Sequence, residues 1–164
     1  MNQFVFHHIG IAVRDLQTAV LLYKELFQYE LESGPFDDPV QNVSVCFLSS
    51  TNLGPLIELV APLGPNSPVD RALKQAGGGP YHICYKVPDI NTAIGRFTEK
   101  GALLLSGPVP AVAFGMRKIA WLQTEARLLV ELVQAQSDAD SRSPQGLTMH
   151  FEGYTVTASC GTHP

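Results

Sequence analysis

The chain has 164 residues, 45% of them hydrophobic and 16% charged, which is enough apolar material for a packed core and argues against disorder. The formal net charge of −4 disfavours a nucleic-acid partner, which usually requires a basic surface. We see no signal peptide and no apolar run as long as a membrane span, so we expect no membrane association. The cysteines are odd in number and form no C-x-x-C pair, which favours a reducing cytoplasm; they are Cys46, Cys84 and Cys160.

The first half of the chain has the pattern of a strand, a helix and three further strands. Residues 4–13 are rich in β-branched and apolar types and predict a strand. Asp15 is placed as the N-cap of a helix over residues 16–27, which carries apolar residues at helical spacing. The strand-like runs that follow lie at about 29–33, 42–50 and 55–61.

A Pro- and Gly-rich segment separates the two halves. Ser67, Pro68 and Asp70 suit the N-cap, first and third positions of a helix, so we predict a short linking helix over residues 68–76. The glycines at 77–79 then lead into the second half.

The second half repeats the same order of elements. Residues 80–87 predict a strand, Asp89 an N-cap, residues 90–100 a helix, and Gly101 its end. Three more strands are predicted at about 102–106, 116–123 and 127–135. The polar sequence QAQSDADSRSPQG predicts a spacer, and LTMHFEGYTVTA predicts one extra strand.

This repetition extends to the residues themselves. HIGIAVRDLQTAV, beginning at His8, matches HICYKVPDINTAI, beginning at His82, without gaps at an offset of 74 residues. PLIELV around Glu58 matches LLVELV around Glu131 at an offset of 73. The sequence therefore predicts an α+β fold of two tandem βαβββ modules. The predicted domain covers 1–135 and the tail 136–164; within the domain lie module one (4–62), the linker (63–79) and module two (80–135).

Four polar residues interrupt or begin the apolar strands at duplicated positions. Glu58 and Glu131 each lie inside a run that predicts a buried strand, where an unpaired carboxylate costs several kcal/mol. For any single residue, the simpler interpretation is a core histidine with its hydrogen bonds satisfied, or a glutamate paired with Arg or Lys. Because all four recur together, we favour one divalent metal ion (Co, Ni, Zn, Mn or Fe) bound by His8, Glu58, His82 and Glu131.

The remaining histidines and one cysteine are weaker candidates. Strand alternation predicts that His7 points to the opposite face from His8, so we prefer His8 as the ligand. Cys84 shares the face of His82 and either lines a cavity or serves as a small hydrophobic residue. His150 and His163 lie in the tail, where we expect them to be solvated and without function.

Residues 4–135 resemble the vicinal oxygen chelate superfamily, which includes glyoxalase I, extradiol dioxygenases and bleomycin-resistance proteins. Within it the chain is most similar to the methylmalonyl-CoA epimerases. The likeness rests on HHIGIAVRDLQTAVLLYKELF, on IELVAPLGPNSPVDRALKQAGGGPYHICYKVPDI and on LLVELVQ. It implies an open, barrel-like sheet that encloses a cleft, a homodimer, and a small-molecule substrate such as a CoA or other thioester.

The resemblance also implies roles for the four polar residues. The superfamily's metal ligands correspond to His8, His82 and Glu131, and the position of Glu58 holds Gln or Glu in relatives. The ligand set of bacterial-type glyoxalase I resembles all four. Epimerases usually carry a Gly-rich stretch with a His, whereas this chain has GPVPAVAFGMRKIAW there. Some epimerases also use a second glutamate as a base, at the position that Val45 occupies here.

The expected reaction is removal of a proton alpha to a carbonyl, with the metal stabilising the enolate and Glu131 or Glu58 as the base. The alternatives are a glyoxalase I-like lyase (lactoylglutathione lyase), a non-haem Fe(II) dioxygenase, and a small-molecule binding or resistance protein. A dioxygenase would use His8, His82 and Glu131, and Glu58 argues against it because a fourth protein ligand occupies a position that oxygen needs. Metal-free binding proteins often lack these ligands, so their presence argues against that class.

Overall fold

The structure, a computed structural model, describes residues 4–136, 148–151 and 154–157. Module one comprises strand β1 (Val5–Ala12), helix α1 (Leu16–Phe27) and strands β2 (Tyr29–Asp38), β3 (Val43–Ser50) and β4 (Ile57–Pro62). Helix α2 (Asp70–Ala76) links the modules. Module two comprises β5 (Gly79–Val87), α3 (Ile90–Thr98), β6 (Leu103–Ala111), a short 3-10 turn (Val112–Phe114), β7 (Arg117–Gln123) and β8 (Leu129–Gln134).

These eight strands form one sheet in the order β2-β3-β4-β1-β5-β8-β7-β6, which curls into a half-barrel. The first strands of the two modules, β1 and β5, pair antiparallel at the centre. Each of them is also parallel to the last strand of its own module. From either edge of the sheet to its centre, the strands are the second, third, fourth and first of one module. This symmetry is expected of a duplicated unit. The predicted α+β fold of two βαβββ modules is confirmed.

The two long helices cover one face of the sheet and leave the other face as the wall of a cleft. Helix α1 packs through Ala19 against Ile57 and Leu59 of β4. Helix α3 packs in the same way against Val130 and Leu132 of β8. Because side chains alternate along a strand, the residue between each of these pairs points to the cleft side of the sheet. Those intervening residues are Glu58 and Glu131.

The predicted helix starts are confirmed for α1 and α3. Asp15 and Asp89 have extended backbones, and their carboxylates accept hydrogen bonds from the backbone N–H of Thr18 and Thr92, each at 2.7 Å. Helix α3 ends at Thr98, two residues earlier than predicted, and Gly101 follows in the left-handed region with φ +84°. These caps satisfy backbone groups that a helix end otherwise leaves without partners.

The linking helix begins later than predicted. Ser67 is not its N-cap: the helix starts at Asp70 with Val69 as the capping residue, and no side-chain capping bond is formed. The Ser67 hydroxyl is buried without a hydrogen-bond partner in the described part of the chain. Val69 is fully buried and packs with Leu73, so tertiary packing rather than a side-chain cap decides where this helix begins.

Strands β2 and β6 continue past the points where the sequence predicted their ends. Predicted at 29–33 and 102–106, they extend to Asp38 and Ala111. Each passes through a Gly-Pro pair that lies directly after the predicted end of the strand. Register shifts at these points let both edge strands resume pairing with their neighbours.

In the tail, the structure describes two short strands where the sequence predicted one. Strands β9 (Thr148–Phe151) and β10 (Tyr154–Thr157) pair antiparallel with each other. The interpretation of His150 and His163 concerns side chains outside the described part, as does Cys160, and the division into a domain and a tail stays a prediction. Among the described residues, no helix has both the length and the apolar content that crossing a membrane requires.

Candidate metal centre

The four central strands each contribute one of the predicted ligands to a single point on the cleft side of the sheet. His8 lies on β1, and its partner position on β5 is Cys84, which in turn lies opposite Glu131 on β8. Gly10 on β1 lies between Glu58 on β4 and His82 on β5. The two halves of the site are therefore built from equivalent positions of the two modules. The structure brings all four predicted residues together.

The donor atoms of these side chains are close enough to share one ion. The Nε2 atoms of His8 and His82 are 2.9 Å apart, and Glu58 Oε2 lies 3.2 Å from each of them. Glu131 Oε2 lies 3.4 Å from His8 Nε2 and 3.6 Å from His82 Nε2. Two ligand atoms bound at right angles to a metal at about 2.1 Å are roughly 3 Å apart. The donor set and its spacing therefore fit a divalent cation.

The electrostatics of the site also favour a bound cation. All four residues are at most 5% exposed, and Glu131 Oε2 has no hydrogen-bond partner among the described residues. Burial alone would raise the pKa of Glu58, but His8 and His82 lower it to about 2. Burial would likewise lower the pKa of His82, but the nearby carboxylates of Glu131 and Glu58 raise it to about 9. The two buried carboxylates thus attract positive charge to the point between the four side chains.

His7 lies beside this centre, contrary to the prediction that it points away. On β1, Phe6 is opposite Tyr85 of β5 and His8 is opposite Cys84, so His7 is an extra residue in a β-bulge. A bulge interrupts strand alternation and redirects a side chain, which the sequence pattern did not reveal. His7 Nδ1 consequently lies 2.8 Å from His8 Nδ1. Burial, with the charge of Lys86, lowers the pKa of His7 to about 3.

A second cluster of ligand-type atoms consists of His7, His8 and Cys84. Burial and the charge of Glu131 raise the pKa of the Cys84 thiol well above its ordinary value, so without a metal ion this sulfur keeps its proton. Cys84 is fully buried in an apolar cluster with Phe47 and Ile119. Its behaviour as a small hydrophobic residue, one of the two interpretations that the sequence allowed, agrees with this packing.

The centre opens into a cleft of about 600 Å³, lined by Glu58, His82 and Glu131 among other residues. Much of its wall is apolar, with contributions from Val43, Val45, Val60, Val109, Ala113 and Phe114. The last three belong to the segment GPVPAVAFGMRKIAW, for which the resemblance implied a Gly-rich stretch with a His. Val45, the position to which the resemblance assigned a second glutamate of some epimerases, likewise brings an apolar side chain to the wall.

A hydrogen-bonded chain that the sequence did not predict supports His82. The Trp121 ring meets the His82 ring edge-on, with centroids 4.8 Å apart. Trp121 Nε1 donates to Gln41 Oε1 at 2.9 Å, and Gln41 Nε2 donates to Asp38 at 3.0 Å. The buried Asp38 carboxylate also accepts backbone N–H groups of Val40, Gln41 and Val112. The only sequence signal for a role of Trp121 was that it occupies the repeat position of the aromatic Phe47, 74 residues later.

Two more residues contribute to the site without a sequence signal. A Cβ atom on Gly10 would lie 2.0 Å from His82 Cε1, so only glycine leaves room for this imidazole. Tyr81 lines the cleft beside His82; burial raises its pKa, and the negative charges of Glu131 and Glu58 raise it further. Neither role is visible before β1 and β5 are paired.

Comparison with known proteins agrees with this fold. Residues 7–121 match the family model of the Glyoxalase/Bleomycin resistance protein/Dioxygenase superfamily. The chain belongs to this superfamily, whose members include metal-dependent enzymes.

Within the superfamily the chain is similar to epimerases of CoA thioesters. It is 37% identical over 131 residues to the ethylmalonyl-CoA/methylmalonyl-CoA epimerase of Cereibacter sphaeroides, covering 78% of this chain and 96% of that protein. It is 36% identical over 133 residues to the mitochondrial methylmalonyl-CoA epimerase of Homo sapiens, covering 79% of this chain and 73% of that protein. The predicted resemblance is confirmed.

Solved structures show the same fold. A variant of the Streptomyces coelicolor methylmalonyl-CoA epimerase in complex with 2-nitronate-propionyl-CoA superposes with a TM-score of 0.68 at 26% identity, covering 87% of this chain and 100% of that one. The Mycobacterium tuberculosis methylmalonyl-CoA epimerase has a TM-score of 0.71 at 23% identity, with 82% and 90% coverage.

Proposed function

We propose that this protein is a metal-dependent epimerase that removes and returns the proton alpha to the carbonyl of an acyl thioester. The observation that carries the proposal is the meeting of two imidazole nitrogens and two carboxylate oxygens at one buried point in the cleft. Similarity to curated epimerases over more than three quarters of the chain supports the reaction class.

The four side chains are proposed as the ligands of one divalent cation. Two imidazoles and two carboxylates suit a borderline ion such as Co, Ni, Zn, Mn or Fe, and the two negative charges balance its charge. When bound, such an ion supplies Lewis-acid stabilisation of the negative charge that develops on a substrate carbonyl oxygen. The apolar wall of the cleft excludes water from this charge, which strengthens its stabilisation.

Glu131 and Glu58 are the proposed bases. Epimerisation requires a proton to leave one face of a carbon and return to the other, and the two glutamates reach the centre from opposite modules. Among the described residues, the only other carboxylate that lines the cleft is Asp38, whose oxygens already accept four N–H groups. Val45 has no proton to exchange. Glu58, on β4, is therefore proposed as the second base in place of a residue at the β3 position that Val45 occupies.

The proposed substrates are 2-methyl-branched acyl-CoA thioesters, the class to which the methylmalonyl-CoA named for the relatives belongs. Arg71 on α2 is the one Lys or Arg side chain that lines the cleft in the described part of the chain. It also borders a shallower depression that includes Lys74 and opens to solvent. We propose that the acyl group enters the cleft and that Arg71 meets the phosphates of the CoA handle.

The reaction is tested with Co(II)-loaded protein and methylmalonyl-CoA in deuterated water. We expect deuterium to enter at the alpha carbon and a single enantiomer to become racemic, and both to stop after a chelator removes the metal. Oxygen consumption with Fe(II) and an aromatic diol, in place of exchange with any branched acyl-CoA, would indicate a dioxygenase. Conversion of the methylglyoxal–glutathione hemithioacetal would indicate a glyoxalase I-like lyase. Tight stoichiometric binding without turnover would indicate a binding protein.

The proposed contact between Arg71 and the CoA phosphates is tested by comparing the CoA thioester with a thioester of the same acyl group on a truncated pantetheine. Arg71→Gln should raise KM for the CoA thioester by roughly up to tenfold, since a charge-assisted bond to phosphate is lost. It should leave KM for the pantetheine thioester unchanged. Lys100→Gln removes a cation away from the cleft and is the matched control. An equal effect of Arg71→Gln on both substrates would refute the assignment of Arg71 to the handle.

Two predictions concern the protein as a whole. A homodimer is proposed from the superfamily resemblance, and sedimentation velocity at micromolar concentration tests it. A cytoplasmic location is proposed from the cysteine pattern, although the mammalian relatives are mitochondrial by name.

A further inference from the structure

The bulged residue of β1 is held directly against a proposed ligand. His7 is half-buried, and its ring packs edge-on against Phe47 and Phe114, with centroid distances of 6.1 and 5.6 Å. The ring of His8 contacts the same two phenylalanines, at 5.5 and 6.2 Å. The two imidazoles are therefore fixed by a shared apolar cage, and their mutual orientation is set by packing.

The contact between them is a hydrogen bond with a defined chemical consequence. His7 Nδ1 and His8 Nδ1 are 2.8 Å apart, and His8 is fully buried. A neutral imidazole carries its proton on one nitrogen only, so a His8 whose Nε2 lone pair faces the metal centre carries its proton on Nδ1. That N–H then donates to Nδ1 of His7, whose own proton lies on Nε2.

We propose that His7 is a positioning residue that accepts the Nδ1 proton of His8 and so holds His8 in the tautomer and orientation that presents Nε2 to the divalent cation. Metal-binding histidines usually donate this second N–H to a carboxylate, a backbone carbonyl or water, and the partner tunes metal affinity. Here a second imidazole, supplied by a β-bulge, has that function. The inference rests on the proposed metal site but adds a residue outside the ligand set.

The second module has no equivalent of this bond. Residue 81, at the repeat position of His7, is a tyrosine that lines the cleft. His82 Nδ1 is buried without a hydrogen-bond partner in the part of the chain that the structure describes. The His82 ring instead packs directly over Gly10, where there is no side chain, and contacts the Trp121 ring edge-on. A change at His7 should therefore affect the orientation of His8 and leave His82 in place.

Two variants of similar shape separate hydrogen bonding from packing. His7→Asn keeps an oxygen that accepts a bond near the position of Nδ1, whereas His7→Leu fills the space without an acceptor. The measurement is the Kd of metal-free protein for Co(II) or Zn(II), by competition with a chromophoric chelator. We expect His7→Leu to weaken binding by roughly 10- to 100-fold, as is typical for loss of such a partner. His7→Asn should remain close to wild type, and its Co(II) absorption spectrum should also be unchanged.

Equal losses in the two variants, or wild-type affinity in His7→Leu, would overturn the positioning role. Circular dichroism and thermal unfolding of the metal-free variants show whether they fold. If either variant fails to fold, nitrogen NMR of the Zn(II)-loaded wild type replaces the comparison. It should show His8 protonated at Nδ1 and His7 at Nε2, and any other pair of tautomers refutes the proposal. A wild-type protein that binds no divalent cation would instead refute the proposed function itself.

Discussion

The two modules contribute the same residue types to the proposed metal centre but support them differently. In module one, the Nδ1 atom of His8 is hydrogen-bonded to Nδ1 of the bulged His7. In module two, His82 has no such bond and depends on the absence of a side chain at Gly10 and on contact with Trp121. Duplication thus accounts for which residues meet at the centre. The surroundings that orient them diverged separately, so the two histidines should respond to different substitutions.

Hairpin length shows what the duplication preserves. Phe47 pairs with Glu58 across β3 and β4, and Trp121 pairs with Glu131 across β7 and β8. The offset between modules is 74 at the aromatic residue and 73 at the glutamate, so the second hairpin is one residue shorter. The difference lies in the turn, and each glutamate keeps an aromatic cross-strand neighbour. A turn can lose a residue freely, whereas a shift of one residue in register would move the glutamate to the opposite face of the sheet.

The largest expected effect tests whether both modules are needed. His8→Ala and His82→Ala should each remove one of four ligands, so metal should be lost on dialysis and deuterium exchange should fall to background. Elemental analysis and the exchange assay measure the two effects separately. If one variant retains metal and exchange while the other loses both, one module alone supplies the metal ligands. The proposal that both modules share the site would then be wrong.

The next comparison separates the two glutamates. Glu131→Gln removes both a ligand charge and a candidate base. In protein saturated with metal, it should slow removal of the alpha proton from one enantiomer by at least about 100-fold, which is typical of losing a general base. Glu58→Gln should do so for the other enantiomer, because each glutamate faces the centre from its own module. Exchange measured separately for each enantiomer gives the answer. If one variant loses exchange with both enantiomers and the other variant keeps both, a single glutamate carries out all proton transfer.

A third comparison concerns the positions between the ligands. Gly10→Ala should displace His82 and weaken metal binding at least tenfold, since the new methyl group would overlap the imidazole. Cys84→Ala changes the equivalent position of module two, where the side chain is packed in the core. It should lower the free energy of unfolding by about 1 kcal/mol and leave metal affinity nearly unchanged. Similar metal affinities for the two variants would contradict the asymmetry of the modules.

The smallest expected effect concerns the matched helix caps. Asp15 and Asp89 accept bonds from the amides of Thr18 and Thr92, which hold the pKa of each carboxyl below its ordinary value. Their contribution to stability is therefore present above the pKa of the unfolded chain and is lost as pH falls through the folded pKa. Asp15→Ala and Asp89→Ala should lower stability slightly and equally at neutral pH. Urea unfolding at neutral and acid pH measures this; a difference that persists in acid would refute the charge argument.

The sequence by itself determined the duplication, the two capped helices and the identity of the four residues at the centre. These features depend on local patterns: side-chain period, capping chemistry next to an apolar run, and polar residues within runs that must be buried. Glu58 and Glu131 could be recognised because a carboxylate inside LIELV or LVELV is costly wherever the strand lies. The equivalence of His8 and His82 in the two modules followed from the repeat.

Only the tertiary structure decided what surrounds those four residues. The bulge that turns His7 toward His8 arises from the pairing of β1 with β5, whose equivalent residues are more than seventy positions apart in the chain. The fit of His82 over Gly10 and the chain of bonds from Trp121 through Gln41 to Asp38 likewise join distant strands. Such contacts depend on which backbones are neighbours and in what register, and no local pattern of side chains encodes either.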